Sequence, residues 1–160
     1  MRTSRTGSSS SRWCAESMGR QFFVNLAVQD VARAREFWTA LGFTFNEQYS
    51  DETAIAMVLS ENMHVMLLSE PKFSSFTTRP IADTSSVTEG LFSFTCESRE
   101  AVDEIVGLAL AHGGRPAMPA QDHGFMYAWS FYDPDGHHWE PFWLDPNGPA
   151  DGGDEDAAEA

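Results

Sequence analysis

The sequence predicts an α+β fold in which two tandem β-α-β-β-β modules form a curved, partly closed sheet around a cavity. A strand followed by a capped amphipathic helix occurs twice, about 68 residues apart. The second copy ends in an aromatic hairpin with a tight turn. With 160 residues, the chain is long enough to bury one domain core.

The first module begins with an alternating strand and a helix. Val24, Leu26 and Val28 share one face of the strand, as in a half-buried sheet. Asp30 is the predicted helix cap, and Gly42 can take the left-handed conformation that ends the helix. The apolar helix stripe contains Val31, Ala34, Phe37, Trp38 and Leu41. Three strands are predicted next, over Thr44–Gln48, Thr53–Leu59 and Met63–Leu68.

The second module repeats this pattern. Phe92, Phe94 and Cys96 match the first strand, and Ser98 takes the place of the Asp30 cap. The second helix has the same apolar periodicity in Val102, Ile105, Val106 and Ala109. A strand over residues 115–118, a loop over 119–123 and the aromatic hairpin complete the module.

The hairpin turns at Asp133-Pro134-Asp135-Gly136. Proline suits a φ of about −65° and glycine suits a positive φ, so a type I turn closed by a glycine bulge is predicted. This register pairs Tyr132 with His138, Ser130 with Glu140, and Ala128 with Phe142. The face opposite these residues is aromatic and is expected to pack against a helix. It contains Tyr127, Trp129, Phe131, His137, Trp139 and Trp143.

The predicted domain covers residues 20–145, with module one at 21–69, a linker or lid at 70–89 and module two at 90–145. Residues 1–19 are rich in Ser and Arg and are predicted to be a disordered leader. This leader is either a transit peptide or an extension upstream of a start at Met18. Residues 146–160 form a predicted acidic, disordered tail.

Charge and cysteine usage exclude several classes of function. A net charge of −14 argues against partners such as nucleic acid or anionic membranes, which are bound by clustered Lys and Arg. Cys14 and Cys96 have unlike settings, so no disulfide is expected and a cytoplasmic location fits. No apolar run reaches the roughly 20 residues of a membrane span.

The two modules and the DPDG turn, followed four residues after Gly136 by Glu140, resemble the vicinal-oxygen-chelate superfamily of glyoxalases, bleomycin-resistance proteins and extradiol dioxygenases. The likeness covers about residues 21–145. The segments FVNLAVQD, DHGFMY and DPDGHHWE look most like a bacterial branch described as predicted lactoylglutathione lyase.

The resemblance implies a small-molecule site. In metal-dependent members, the first and last strands of each module supply the ligands of a divalent ion. The corresponding positions here fall on Phe23, Met66, Leu91 and Glu140. Only Glu140 is a ligand type, so the prediction is a degenerate site with no metal and no cofactor.

A shifted metal site is the alternative. His64 has the parity of Met66, and His138 lies two residues before Glu140 on the same face. These histidines are either metal ligands or hydrogen-bonding residues of the cavity wall. His137 and His112 are expected at the surface.

Three functions follow from these residues. The first is a metal-independent lyase or isomerase with Glu140 as acid or base and with Asn25 and Ser130 as hydrogen-bond donors. The second is a non-catalytic protein of the bleomycin-resistance type that binds a drug or another small molecule. The third is a metal-dependent glyoxalase or dioxygenase with the shifted site. The predicted substrate-binding residues are Phe23, Asn25, His64, Met66, Leu91, His123, Ser130, His138 and Phe142.

A homodimer is also predicted, because each module has only one helix to cover one face of its strands. The opposite faces carry Phe23, Met66, Leu91 and Phe142 and are expected to pair with each other, either within one chain or across the dimer.

Overall fold

A computed structural model describes residues 20–148 and confirms the α+β class and the two β-α-β-β-β modules, whose sheets curl into a half-barrel. The predicted leader, with Met18 and Cys14, and residues 149–160 of the predicted tail lie outside the described residues. No helix within residues 20–148 is both long and apolar enough to cross a bilayer.

Module one forms a four-stranded sheet in the order β1-β4-β3-β2, in which β1 is parallel to β4. Its elements are β1 (Phe22–Val28), α1 (Val31–Ala40), β2 (Thr44–Phe45), a 3₁₀ turn (Glu47–Tyr49), β3 (Ala54–Ser60) and β4 (Met63–Ser69). The predicted strand over Thr44–Gln48 is wrong in its second half. There the Asn46 side chain accepts a hydrogen bond from the Gln48 amide at 3.0 Å, which begins the 3₁₀ turn instead.

Module two is arranged around its last strand, which is parallel to the module's first strand and antiparallel to two others. The remaining elements are α2 (Glu70–Ser74), β5 (Leu91–Thr95), α3 (Arg99–Ala111), β6 (Arg115–Pro116), β7 (Gln121–Asp122), β8 (Met126–Ala128), β9 (Phe131–Tyr132) and β10 (His138–Leu144). The predicted linker therefore contains a helix. The predicted loop over 119–123 contains β7, which pairs with β8.

Both long helices begin at the predicted caps. Asp30 Oδ1 accepts from the Arg33 amide at 3.0 Å, and Ser98 Oγ accepts from the Ala101 amide at 3.1 Å. Gly42 has a φ of 91°, so the first helix ends in the left-handed residue that its glycine predicts.

A single apolar core joins the modules and includes residues of both long helices and both sheets. The rings of Trp38 and Trp139 lie 4.5 Å apart, and Phe37 lies 6.2 Å from Phe131. The aromatic face of the hairpin therefore packs against a helix as predicted, and α1 of the other module supplies much of the contact. Because this core covers one face of each sheet, the other two faces are turned away from it.

The hairpin register is confirmed at both ends. Tyr132 pairs with His138, and Ala128 pairs with Phe142. The predicted pair of Ser130 and Glu140 is missing from the ladder, which breaks between β8 and β9. Pro141 explains the break, because it has no amide hydrogen to donate on this side of β10.

A buried polar cluster at the DPDG turn joins the modules to the linker. His137 was predicted at the surface, but its side chain is only 4% exposed. Its Nδ1 contacts a carboxylate oxygen of Glu89, and its Nε2 lies 2.8 Å from the carbonyl oxygen of Ala27. Both neighbours are acceptors, so a doubly protonated ring satisfies the two contacts together. The prediction failed because Ala27 and Glu89 are distant in sequence.

Two carboxylates set the charge of this cluster. Burial lowers the pKa of His137, but the charge of Asp133 and the hydrogen bond with Glu89 outweigh it, so the pKa is raised. Burial raises the pKa of Asp133 to about 6. The Asp133 carboxylate accepts from Trp139 Nε1 at 2.9 Å and from the His137 amide at 3.0 Å. The cluster thus places a charged pair at the joint between the modules.

Candidate functional site

The predicted site residues lie mostly on the two sheet faces that the core does not cover. Face one is the outward side of module one and contains Phe23, Asn25, His64 and Met66. Face two is the outward side of module two and contains Leu91, Ser93, Thr95, His138, Glu140 and Phe142. Strand alternation places every one of these side chains opposite the core-facing residues of its strand.

Face one is an uncharged, partly aromatic surface. The Phe23 ring stacks on His64 with ring centres 5.1 Å apart and an angle of 15° between the planes. Phe23 remains 38% exposed, whereas His64 is buried. The Nδ1 atom of His64 is buried and has no hydrogen-bond partner among the described residues. Asn25 is exposed beside Met66, with its amide available to a ligand.

Face two carries the only carboxylate on the two faces. Glu140 is half-buried, and its Oε1 accepts a hydrogen bond from Ser93 Oγ at 3.5 Å. Leu91, which is 63% exposed, and Phe142 lie along the same strands. This combination places an accessible carboxylate, a hydroxyl group and apolar surface side by side.

Ser93 was not predicted from the sequence. The signal was present, because Ser93 follows Leu91 by two residues and therefore points to the same side of β5. Its position beside Glu140 depends on the parallel register of β5 and β10, in which Ser93 is the direct partner of Glu140.

His138 lies beside Glu140 on face two but is buried. The Tyr132 ring contacts the His138 ring edge-on, with centres 5.1 Å apart. The Nε2 atom of His138 has no hydrogen-bond partner within residues 20–148. Each outward face therefore contains a buried histidine with one unpaired ring nitrogen.

Two other predicted residues, Ser130 and His123, have no strand pairing or hydrogen bond with Glu140 within residues 20–148. Ser130 is buried at the break in the hairpin, where its Oγ accepts from the Met118 amide at 2.9 Å and supports the sheet. His123 is exposed in the turn between β7 and β8. That turn is fixed by an ion pair of 2.6 Å between Arg99 and Asp122. A ligand on face two is therefore expected to meet Ser93 rather than Ser130.

The two faces are not brought together within one chain. Each is directed away from the core that lies between the sheets. The sheets themselves are not hydrogen-bonded to each other, and β1 and β5 each pair along one edge only within residues 20–148. One chain thus presents two uncovered faces, each bordered by an unpaired strand edge.

The side chains at the four positions where the resemblance implies metal ligands do not suit a metal ion. Phe23, Met66 and Leu91 provide no hard or borderline ligand atom, so Glu140 would be the sole ligand. Within the described residues, no three His, Cys, Asp or Glu side chains are grouped as a metal site requires. The three residues of the alternative metal site are also divided between the faces. His64 lies on face one, and both His138 and Glu140 lie on face two.

A separate cavity of about 850 Å³ lies between the modules. It is bounded by the end of α1, the turn between β3 and β4, strand β5 and helix α3. We name it the intermodule cleft. Of the predicted site residues, only Phe142 lines it. Ser93 and Thr95 of face two also line it, so the cleft adjoins face two next to Glu140, which is not itself a lining residue.

Comparison with protein families identifies a match over most of the chain. The family model described as the glyoxalase/bleomycin resistance protein/dioxygenase superfamily matches residues 20–140. No curated protein matches the sequence.

Solved structures of similar fold extend over most of the chain. A hypothetical protein from S. aureus is 23% identical to this chain, with a TM-score of 0.67. The matched region covers 81% of this chain and 96% of the S. aureus chain. A glyoxalase/bleomycin resistance protein/dioxygenase family enzyme from Burkholderia phytofirmans has 17% identity, coverages of 76% and 96%, and a TM-score of 0.63. A protein from Agrobacterium tumefaciens has 28% identity, coverages of 79% and 98%, and a TM-score of 0.57.

Proposed function

Because the chain belongs to the glyoxalase/bleomycin resistance protein/dioxygenase superfamily, we propose that it is a glyoxalase-like lyase or isomerase in which Glu140 transfers a proton. One observation carries the proposal. Glu140 is the only carboxylate on the outward faces, and it lies next to the Ser93 hydroxyl and to apolar surface. A carboxylate beside a bound carbonyl compound can remove a proton from the adjacent carbon and return it to a neighbouring atom.

The neighbouring groups have defined roles in this reaction. Ser93 Oγ donates to Glu140 and thereby holds the carboxylate in position. Leu91 and Phe142 exclude water from the apolar part of the substrate. The proton passes from the substrate carbon to a Glu140 oxygen and back, so the carboxylate is regenerated in each turnover.

We also propose that the working unit is a homodimer. In a twofold arrangement, face one of each chain pairs with face two of the partner, and β1 lies along the partner's β5. Support comes from the exposed side chains of Phe23 and Leu91, at 38% and 63%, and from the two unpaired strand edges. Asn25 then faces Glu140 of the partner subunit and can donate a hydrogen bond to the substrate oxygen.

A second candidate is a binding protein for a planar organic cation. The exposed Phe23 ring, supported by stacking on His64, offers a surface on which such a molecule can stack. Glu140 then supplies a charge-assisted contact rather than a proton. The net charge of −14 favours the approach of cations to this site.

The substitution Glu140→Gln separates these candidates. Its amide keeps the shape of the side chain but cannot accept and release a proton. For the enzyme, turnover of the hemithioacetal of methylglyoxal and glutathione is expected to fall by about 10²–10⁴-fold with little change in affinity. For the binding protein, affinity for a planar cation is expected to weaken by about 1–3 kcal/mol.

A structural role for Glu140 gives a third result. In that case, the melting temperature changes while turnover and affinity do not, and both candidate functions are excluded for this residue. Glu100→Gln is the matched control, because Glu100 is exposed on α3 and lies outside both faces.

We propose the cytoplasm as the site of this function. The settings of Cys14 and Cys96 in the sequence favour free thiols, which a reducing compartment maintains.

A further inference from the structure

The intermodule cleft has the size and position of a ligand site. Its volume of about 850 Å³ lies in the range of small-molecule pockets, which often form where two modules meet. It lies between the C-terminal end of α1 and helix α3, and Glu140 is not one of its lining residues.

The walls of the cleft are apolar and partly aromatic. Phe43 of module one meets Phe94 of module two edge-on, with ring centres 5.6 Å apart. The other large apolar lining residues are Leu41, Leu59, Ile105 and Leu108. The Cys96 thiol also lines the cleft. Because burial raises the pKa of this thiol, it remains neutral near pH 7. The interior therefore suits a hydrocarbon or aromatic body.

All the formal charge of the lining is negative. Glu97 and Glu104 are the only charged lining residues, and neither forms a salt bridge within residues 20–148. No Lys or Arg side chain lines the cleft. Two unpaired carboxylates at the edge of an apolar cavity attract a cation, repel an anion and leave a neutral compound without a charge-assisted contact.

We propose that the intermodule cleft binds a small organic cation with an aromatic or alkyl body, at a site that adjoins Glu140 but does not include it. The apolar part enters between Phe43 and Ile105, and the positive group remains near Glu97 and Glu104 in contact with water. This orientation resembles that of amphipathic side chains, which bury their stems and keep the charge solvated. All lining residues belong to one chain, so formation of the cleft requires neither the proposed dimer nor the proposed proton transfer, although Ser93, Thr95 and Phe142 in its wall also belong to face two.

Titration of the full-length protein with phenethyltrimethylammonium tests the proposal. Amide chemical shifts locate the binding, and calorimetry gives the affinity. We expect saturable shifts at Phe43, Glu97 and Ile105. Replacing the probe with 3-phenylpropanoate, which carries the opposite charge, is expected to weaken binding by about tenfold or more.

Carboxylate variants identify the source of the charge preference. The double variant E97Q/E104Q is expected to weaken binding of the cation by about 3–10-fold, a modest factor because both carboxylates are exposed and screened. The matched control E36Q/E100Q removes two exposed helical carboxylates outside the cleft and is expected to change affinity less than about twofold.

Three results would overturn the proposal. They are the absence of saturable shifts, equal binding of the cation and the anion, and shifts confined to those residues of the two faces that do not line the cleft, such as Phe23, Asn25, Leu91 and Glu140. The third result would favour the planar-cation candidate for the outward faces instead. A protein that binds the cation at the cleft but has no lyase turnover would refute only the proposed reaction.

Discussion

The outward faces of the two modules occupy equivalent places in a repeated backbone, yet their chemistry differs. Strand register matches Phe23 to Leu91, His64 to His138, and Asn25 to Ser93. The fourth equivalent pair is Met66 and Glu140. Each face thus combines an apolar residue, a buried histidine and a polar residue, and the two differ most at that fourth position.

The outward faces of the two repeated modules are suited to different roles. The backbone of each module places four side chains on an uncovered surface, and one substitution gives only face two a titratable carboxylate. His64 and His138 are both buried at equivalent positions, which indicates that their burial follows from the repeated backbone. Each also has one ring nitrogen without a hydrogen-bond partner among residues 20–148. Face one is therefore expected to shape and cover the ligand, and face two to carry the chemistry.

The largest expected effect comes from making the two faces alike. Glu140→Met copies the face-one residue onto face two and removes the proposed proton acceptor, so hemithioacetal turnover should fall by about 10²–10⁴-fold. His64→Gln on face one should reduce turnover less than about tenfold, because no proton transfer is assigned to it. Steady-state kinetics on both variants checks this, and equal losses would contradict the proposed division of roles.

Disruption of the dimer should be the next largest effect. Phe23→Asp and Leu91→Asp each place a charge in the proposed interface, and each should raise the dissociation constant by about 100-fold or more. Phe76→Asp is the control, because Phe76 is 71% exposed and lies on neither face. Light scattering over a concentration series measures the change, and a wild-type protein that is monomeric at tens of micromolar would refute the interface.

Local sequence patterns predicted most of the residues that lie on the two outward faces. Period-two alternation placed Phe23 and Asn25 on one side of β1, and the DPDG turn fixed the register that directs Glu140 away from the core. These signals depend on neighbouring residues, so a sequence displays them directly. Ser93 could have been found in the same way from Leu91.

Contacts between distant segments were not accessible from the sequence. The burial of His137 depends on Glu89 in the linker and on the carbonyl of Ala27 in β1, and no periodicity brings these together. The break in the ladder opposite Pro141, where the pair of Ser130 and Glu140 is missing, was likewise not predicted. The alternation also could not show that the core packs between the sheets and leaves the two faces apart in one chain.

The His137 cluster predicts a moderate, pH-dependent effect on stability. Because its pKa is raised in the folded protein, its contribution is complete below the unfolded value of about 6.5 and is lost as pH rises through the folded value. Stability should therefore fall as the pH rises above about 6.5. Asp133 has its effect at lower pH. Because its pKa is raised from the ordinary 3.8 to about 6, stability should fall as the pH rises from 3.8 to about 6.

Urea unfolding of His137→Gln tests this expectation. The variant should lose about 2 kcal/mol near pH 6.5, because it cannot donate a charged hydrogen bond to both acceptors, and its pH dependence should be flatter. His112→Gln is the control at an exposed histidine. An unchanged slope in the His137 variant would show that another group causes the decline. Because the cluster joins the modules, its loss should also loosen the relative position of the two faces.

The smallest expected effect is that of metal removal. A zinc or iron site needs three or four ligands, and Phe23, Met66 and Leu91 leave Glu140 alone among the family positions. Incubation with EDTA should therefore leave turnover and melting temperature unchanged, and elemental analysis should find well below one divalent ion per chain. About one ion per chain, with activity lost on chelation, would contradict this prediction. Such a result would indicate that His64 of one subunit joins His138 and Glu140 of the partner subunit, and loss of the metal in His64→Gln would then identify the shared site.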